Sequence, residues 1–521
     1  MKLVALKLTN FRGYQNETCI NFGNLTAFVG KNDVGKSTIL EALDIFFNDG
    51  KGVVKIDKGD VNVVEERNGN QEIVISICFA DLPKSIIIDS TNETTLKDEY
   101  MLNRDDQLEI VKKYKNGGSA KVFIHAYHPT NTNCANLLLK KNNDLKEIVK
   151  NENIECEDKT KNAELRKAIW KKFRDNLELD DVEIDVSKED AKKIWEKLQT
   201  YLPIYSLFQS DRKNSDNDEE VQDPLKEAVR QILSEESLQE TLSKVADEVE
   251  EKLREVSNRT LDKLKEFDST IAESLNPVIP DSTKLKWQDV FKNVSITGDS
   301  DIPINKRGSG VKRLILLSFF RAEADKRANG FNGRGIIYAV EEPETSQHAG
   351  NQRVLIEAFK SLANADNTQV ILTTHSSFIV KQLELSELRL IRDKSDCEKE
   401  IMNVLPGQLQ YPSLNEVNYV AFNEVTEEYH DELYSFIEYK WKDDFKKGQP
   451  TRLYKKIQKD GTIKEQNIIL PEYIRHQIHH PENKENVKYT KEELKQSIDA
   501  MRDFIQQKCK NGYYEFDSEK I

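Results

Sequence analysis

The stretch GKNDVGKST, Gly30 to Thr38, follows the apolar run LTAFVG and opens the helical stretch KSTILEALDIFF. Gly30 and Gly35 let the backbone curl so that its N–H groups face phosphate oxygens. The N-terminus of the helix adds a favourable partial charge. In such a loop Lys36 reaches the β- and γ-phosphates, the Ser37 hydroxyl holds Mg²⁺, and Thr38 closes the motif. A chain that begins this way is constrained to a strand–loop–helix unit near its N-terminus.

Three further segments fit the same site. IIYAVEEPE is an apolar strand ending in carboxylates, with Glu341 placed to bind Mg²⁺ through water and Glu342 to polarise the attacking water. VILTTHSS is a strand ending in His375, which can sense the γ-phosphate. RGSGVKRLILL opens a helix at a Ser-Gly turn, Ser309 and Gly310, a second anion site. The helical stretch NQRVLIEAFKSLA lies between the acidic and histidine strands, and that alternation indicates a parallel α/β sheet.

The nucleotide fold is therefore split. We expect an N-terminal part of the head at 1–95, a mixed and then helical insertion at 96–285, a C-terminal part at 286–407, and a mainly α-helical domain at 408–521. Residues from about 135 to 275 read as charged and helical. Leu238, Leu242, Val245, Val249, Leu253 and Val256 form one apolar stripe there, which by default packs on a neighbouring helix.

Composition narrows the classes. With 37% apolar and 32% charged residues in 521, the chain reads as soluble, with room for several domains. It has no apolar run of 18 residues, so no membrane helix is expected. Its N-terminus, MKLVALKLTNF, reads as a strand rather than a signal peptide. Six scattered cysteines without a C-x-x-C pair fit a reducing cytoplasm. The net charge of −14 disfavours diffuse attraction to nucleic acid. One basic patch, residues 440–464, carries a net +6 and reads as a linker that is either simple solvated decoration or a nucleic-acid contact.

The order of phosphate loop, long insertion, Ser-Gly helix, acidic strand and histidine strand resembles the ABC-class ATPases. LTNFRGY, GKNDVGKST, EEPETSQH and TTHS are most similar to the OLD family of the RecF/SMC branch. The resemblance covers roughly residues 1–80 and 290–395. It implies an ABC-type head and a homodimer, or higher even oligomer, that sandwiches two ATP molecules with Mg²⁺. Ser309 and Gly310 of one subunit would then face the phosphate loop of the other. Arg12 and Asn32 would sit near the phosphates, and Ser346 near the opposite site. OLD nucleases continue into a Toprim domain. After His375 neither an E-G-x-x-E-like turn nor a following D-x-D appears here.

Three of the eight histidines, His476, His479 and His480, crowd into YIRHQIHHPEN. Arg475 and His480 are spaced as R-polar-x3-H at the end of a helix, which resembles the HEPN ribonucleases; bacterial anticodon nucleases join such a region to an ABC-like ATPase. An imidazole can move the 2′-hydroxyl proton, and a guanidinium can stabilise the phosphorane, without metal. Lying slightly more than one turn apart, the two are expected to face one cleft. A helix cap, a non-catalytic dimerisation module and a metal site remain alternatives for the cluster. The resemblances imply an ATPase of bacterial antiviral defence that controls its own ribonuclease. The rivals are an ATPase sensor that recruits a separate nuclease and a RecF-like DNA repair ATPase.

Overall fold

The computed structural model describes residues 1–49, 52–89, 92–188, 191–209, 232–233, 235–267, 335–345, 349–395, 398–404, 413–458 and 461–508. Ser309, Gly310 and Ser346 lie outside the described residues.

Six strands, β1 (Lys2–Thr9), β2 (Thr18–Asn21), β4 (Glu72–Ala80), β7 (Leu108–Lys115), β8 (Lys121–Pro129) and β9 (Leu179–Asp185), form an antiparallel sheet in the order β2-β1-β4-β7-β8-β9. Its pairing aligns Leu6, Ile77, Ile110, Ile124 and Ile184 across five strands, and all five are buried. The next row, Cys78, Glu109, His125 and Glu183, points to the other face, as the two-residue period of a strand requires. On that face Glu109 accepts hydrogen bonds from Lys7 Nζ (2.7 Å), Ser76 Oγ (2.9 Å) and Asn103 Nδ2 (3.1 Å), and lies 3.1 Å from His125 Nδ1. Burial opposes its charge, but these partners overcome the penalty and bring the carboxyl down to about 2.

The second sheet holds β3 (Leu25–Val29), β10 (Ile204–Phe208), β11 (Ile336–Glu341), β12 (Thr368–Thr374), β13 (Leu388–Ser395) and β14 (Glu398–Asn403), ordered β10-β11-β12-β3-β13-β14. The first five are parallel and β14 closes the edge antiparallel. Every residue of β3 and β12 is buried, as expected of strands covered on both faces. On one side lies α1 (Lys36–Asn48), with the first sheet behind it; on the other lies α7 (Ala349–Ala363). Among the described residues, the remaining helices before it are α2 (Val63–Arg67), α3 (Asn142–Asn151), α4 (Asn162–Lys172), α5 (Ala191–Gln199) and α6 (Glu236–Phe267), with a small hairpin of β5 (Ile86–Asp89) and β6 (Asn92–Thr94). The fold class is α/β, as the strand alternation indicates.

Two parts of the insertion differ from expectation. Strands β9 and β10 fall inside the stretch read as helical, because each is short and finds its partners far away in sequence: β9 extends the antiparallel sheet, and β10 flanks β11. On α6, Val245 and Val249 are 44% and 48% exposed, so the middle of the apolar stripe is not packed away.

The C-terminal part contains α8 (Ser377–Val380), α9 (Leu414–Phe422), α10 (Glu427–Lys446), α11 (Leu470–His479) and α12 (Lys491–Lys508). The core of α10, α11 and α12 includes Leu433, Ile437, Ile474, Ile498, Met501 and Ile505, whereas Ile379 and Val380 of α8 and Val417 and Ala421 of α9 pack with the parallel sheet. The Lys-rich segment between α10 and α11 is not a linker. It is a hairpin of β15 (Thr451–Ile457) and β16 (Ile463–Ile469), packed on α11 through Tyr454, Ile468 and Tyr473. No described helix is long and apolar enough to cross a membrane.

Candidate active site at the carboxyl edge of the parallel sheet

Parallel pairing brings the C-terminal ends of β3, β11 and β12 to one edge, the place where open α/β sheets bind ligands. The loop after β3 needs glycine at Gly30 because a Cβ there would meet Ile391 O at 2.7 Å and Val34 Cγ1 at 2.9 Å. Gly35, at φ 99°, makes the left-handed turn from which α1 departs. Lys36 is buried and its ammonium donates to Gly30 O (2.9 Å) and Lys31 O (2.8 Å), arching back over the loop. Burial lowers its pKa, and the carboxylates of Glu342, Glu344, Asp33 and Glu341 oppose that pull. Asn32 is exposed on the crest, and Thr38 is half-buried on the first turn of α1.

Ser37 Oγ donates to Glu341 Oε1, so two residues 304 positions apart meet as a pair of hard oxygen donors. Such a pair fits Mg²⁺. Glu342 follows with φ 42°, a conformation uncommon for a side-chain-bearing residue. Its N–H is held by Thr373 O (3.1 Å). His375 Nδ1 lies 3.2 Å from Glu342 Oε1. The structure thus gathers Lys36, Ser37, Glu341, Glu342 and His375 in one place.

Arg12 sits to the side. Its Nε donates to Asp60 Oδ1 (2.8 Å) and its Nη1 to Glu41 on α1. Two residues at this edge were not singled out as site residues from sequence. Glu344 is buried under His375. Gln209, directly after β10, has a buried Oε1 with no hydrogen-bond partner. The strand end beside β11 is the signal that marks Gln209, and it emerges only from the sheet order.

In the C-terminal part Arg475 donates to Asp431 Oδ1 (3.1 Å), Ser435 Oγ (3.3 Å) and Glu438, all on α10. His479 Nε2 lies 2.7 Å from the same Asp431 oxygen. His480 instead closes α11, with its ring 3.2 Å from Glu482 and tilted toward His476, which stacks on Tyr454. Within one chain Arg475 and His480 therefore do not face one cleft. Side chains five apart on a helix diverge by roughly 140°, whereas those four apart, as Arg475 and His479 are, nearly align. Among the described residues no group of three or more His, Cys, Asp or Glu could hold a metal ion.

The chain is 26% identical over 430 residues to the endonuclease GajA of Bacillus cereus (strain HuB5-5), covering 73% of this chain and 56% of that protein. It thus spans little more than half of that relative's length. Among solved structures, an SMC head bound to the C-winged helix domain of ScpA aligns with TM-score 0.38 and 13% identity over 77% of this chain and 97% of that one. The SMC head domain from Thermotoga maritima gives 0.32 and 12% over 78% and 100%. These likenesses are faint, and the strand order, not they, defines the fold. The description AAA ATPase domain matches residues 1–380, which include the whole phosphate-loop edge, and the chain belongs to that family.

Proposed function

We propose that this chain is an ATP-driven switch whose head binds and hydrolyses Mg²⁺-ATP and controls a ribonuclease built from its C-terminal helices. The observation that carries the reading is the meeting of Ser37 with Glu341, beside Lys36, Glu342 and His375. In this site Lys36 exchanges its two loop carbonyls for phosphate oxygens. Glu342 accepts the proton of the attacking water, and His375 orients Glu342 through its Nδ1. Ser37 and Glu341 would hold Mg²⁺, which neutralises phosphate charge when bound. Arg12, on its acid pair beside α1, and Asn32, on the loop crest, are the nearest further candidates for phosphate contact. Gln209 offers its buried amide oxygen to the same site.

Two copies would complete the site, with Ser309 and Gly310 of one closing over the phosphate loop of the other. The same closure would bring two C-terminal domains together, and with them Arg475 of one and the exposed His480 of its partner. The kinship with an endonuclease favours a nuclease-linked role, and bacterial antiviral defence is the setting we infer. A physical link from head to tail supports control of one by the other. Ser377, two residues after His375, donates to Glu424 Oε1 (3.1 Å), and Lys381 pairs with Glu428 at the start of α10.

RNA degradation by the purified protein tests this, comparing His480→Ala and Glu342→Gln with the parent. We expect His480→Ala to lose cleavage by about 100-fold while keeping ATP turnover, since general acid–base groups contribute on that order. Cleavage equal to the parent would remove the ribonuclease reading. Cleavage appearing only when a second polypeptide is added would favour recruitment of a separate nuclease.

A further inference from the structure

Glu344 is one of the most buried acids of the described residues, 5% exposed, and it has no assigned role. Its Oε1 accepts two hydrogen bonds from the end of β12: Thr374 Oγ1 at 2.6 Å and the backbone N–H of His375 at 2.9 Å. The same oxygen lies 3.6 Å from His375 Nδ1, which in turn lies 3.2 Å from Glu342. Its second oxygen, Oε2, is buried with no hydrogen-bond partner.

A buried carboxylate with one oxygen doubly engaged and the other unpaired is a poor way to stabilise a fold. An orphaned buried acceptor loses its hydration without a replacement partner. Two observations say what the group does instead. The donors belong to Thr374, which ends β12, and to His375, which directly follows it, so Glu344 ties that end to the turn following β11. It also sits between the chain positions that must stay in register, namely Glu342, two residues before it, and His375. We propose that Glu344 is a positioning residue for ATP hydrolysis, which fixes the His375 imidazole against Glu342 and so sets the direction in which Glu342 meets the attacking water. This inference rests on the ATPase reading and adds a residue to it. Glu344 acts through His375 and does not touch the nucleotide.

The experiment measures ATP turnover and ATP affinity separately in the full chain. Glu344→Ala removes the clamp; we expect kcat to fall about 100-fold with ATP affinity within about threefold, the pattern of an interaction used only in the transition state. Glu344→Gln keeps an oxygen acceptor for Thr374 and His375, and should recover turnover to within about fivefold of the parent. Because both act through one imidazole, the Glu344→Ala/His375→Ala chain should turn over no more slowly than His375→Ala, within about threefold. Turnover of Glu344→Ala within twofold of the parent would overturn the inference. So would a double variant whose losses multiply, or a Gln variant as impaired as Ala. Lys36→Ala, run alongside, separates the two levels. If it hydrolyses ATP like the parent, the ATPase reading falls and takes the inference with it. If it is inactive while Glu344→Ala is not, the inference falls alone.

Discussion

Single residues show which signals a sequence carries openly. The phosphate loop is legible because its constraint is local: Gly30 and Gly35 sit where a carbonyl approaches and where the backbone turns left-handed. Glu344 is not legible, since its partners end a strand some 30 positions away and only the sheet brings them together. The pairing of Arg475 with His479 through Asp431, instead of with His480, is hidden for the same reason. It depends on how α10 meets α11. A second buried group yields a pH prediction. Burial pushes His430 down to about 3, so the folded chain refuses a proton that the unfolded chain accepts near 6.5. The unfolded state therefore binds more protons below that value, and stability falls as pH drops from about 6.5 toward 3. Replacing this residue, His430→Gln, should flatten that slope in urea titrations at successive pH values. An unchanged slope would show that His430 is not refusing the proton.

Elements are held by contacts that cross between them. Lys112 of β7 is 2% exposed and caps the C-terminal end of α1, donating to Phe46 O (2.7 Å) and to Asp49. A cation there also complements the helix dipole. The helix that presents Lys36 and Ser37 at one end is thus anchored at the other by the antiparallel sheet. Removing the cap with Lys112→Met leaves a buried carbonyl unpaired and should cost about 1–3 kcal/mol. Urea unfolding measures this; a loss below about 0.5 kcal/mol would show that the anchor is not structural. Element types were readable where periodicity ran long, as in α1 and α12. The β15–β16 hairpin reads as a linker in the sequence although KDG is a turn signal there. Only Tyr454, Ile468 and Ile469 are buried in its strands, while Leu453, Ile457 and Ile463 stay exposed, so no continuous buried face marks them in the sequence.

At the scale of the whole molecule, the parallel sheet brings Lys36, Ser37, Glu341, Glu342 and His375 together at one site. The proposed dimer completes it, and Glu342→Gln provides the test because it should hold ATP without splitting it. In sedimentation experiments this variant should shift from monomer to dimer on adding ATP, or from dimer to a more compact dimer, and should do neither with Lys36→Ala in addition. No response to ATP in either hydrodynamic measure would contradict nucleotide-driven pairing.

The most direct measurement is nucleotide binding and turnover by Lys36→Ala beside the parent chain. The buried ammonium that now bridges two loop carbonyls is the group assigned to the phosphates. We expect its loss to weaken ATP binding at least tenfold, about 1.4 kcal/mol, and to abolish hydrolysis. A Lys36→Ala chain that binds and splits ATP as the parent does would contradict the account.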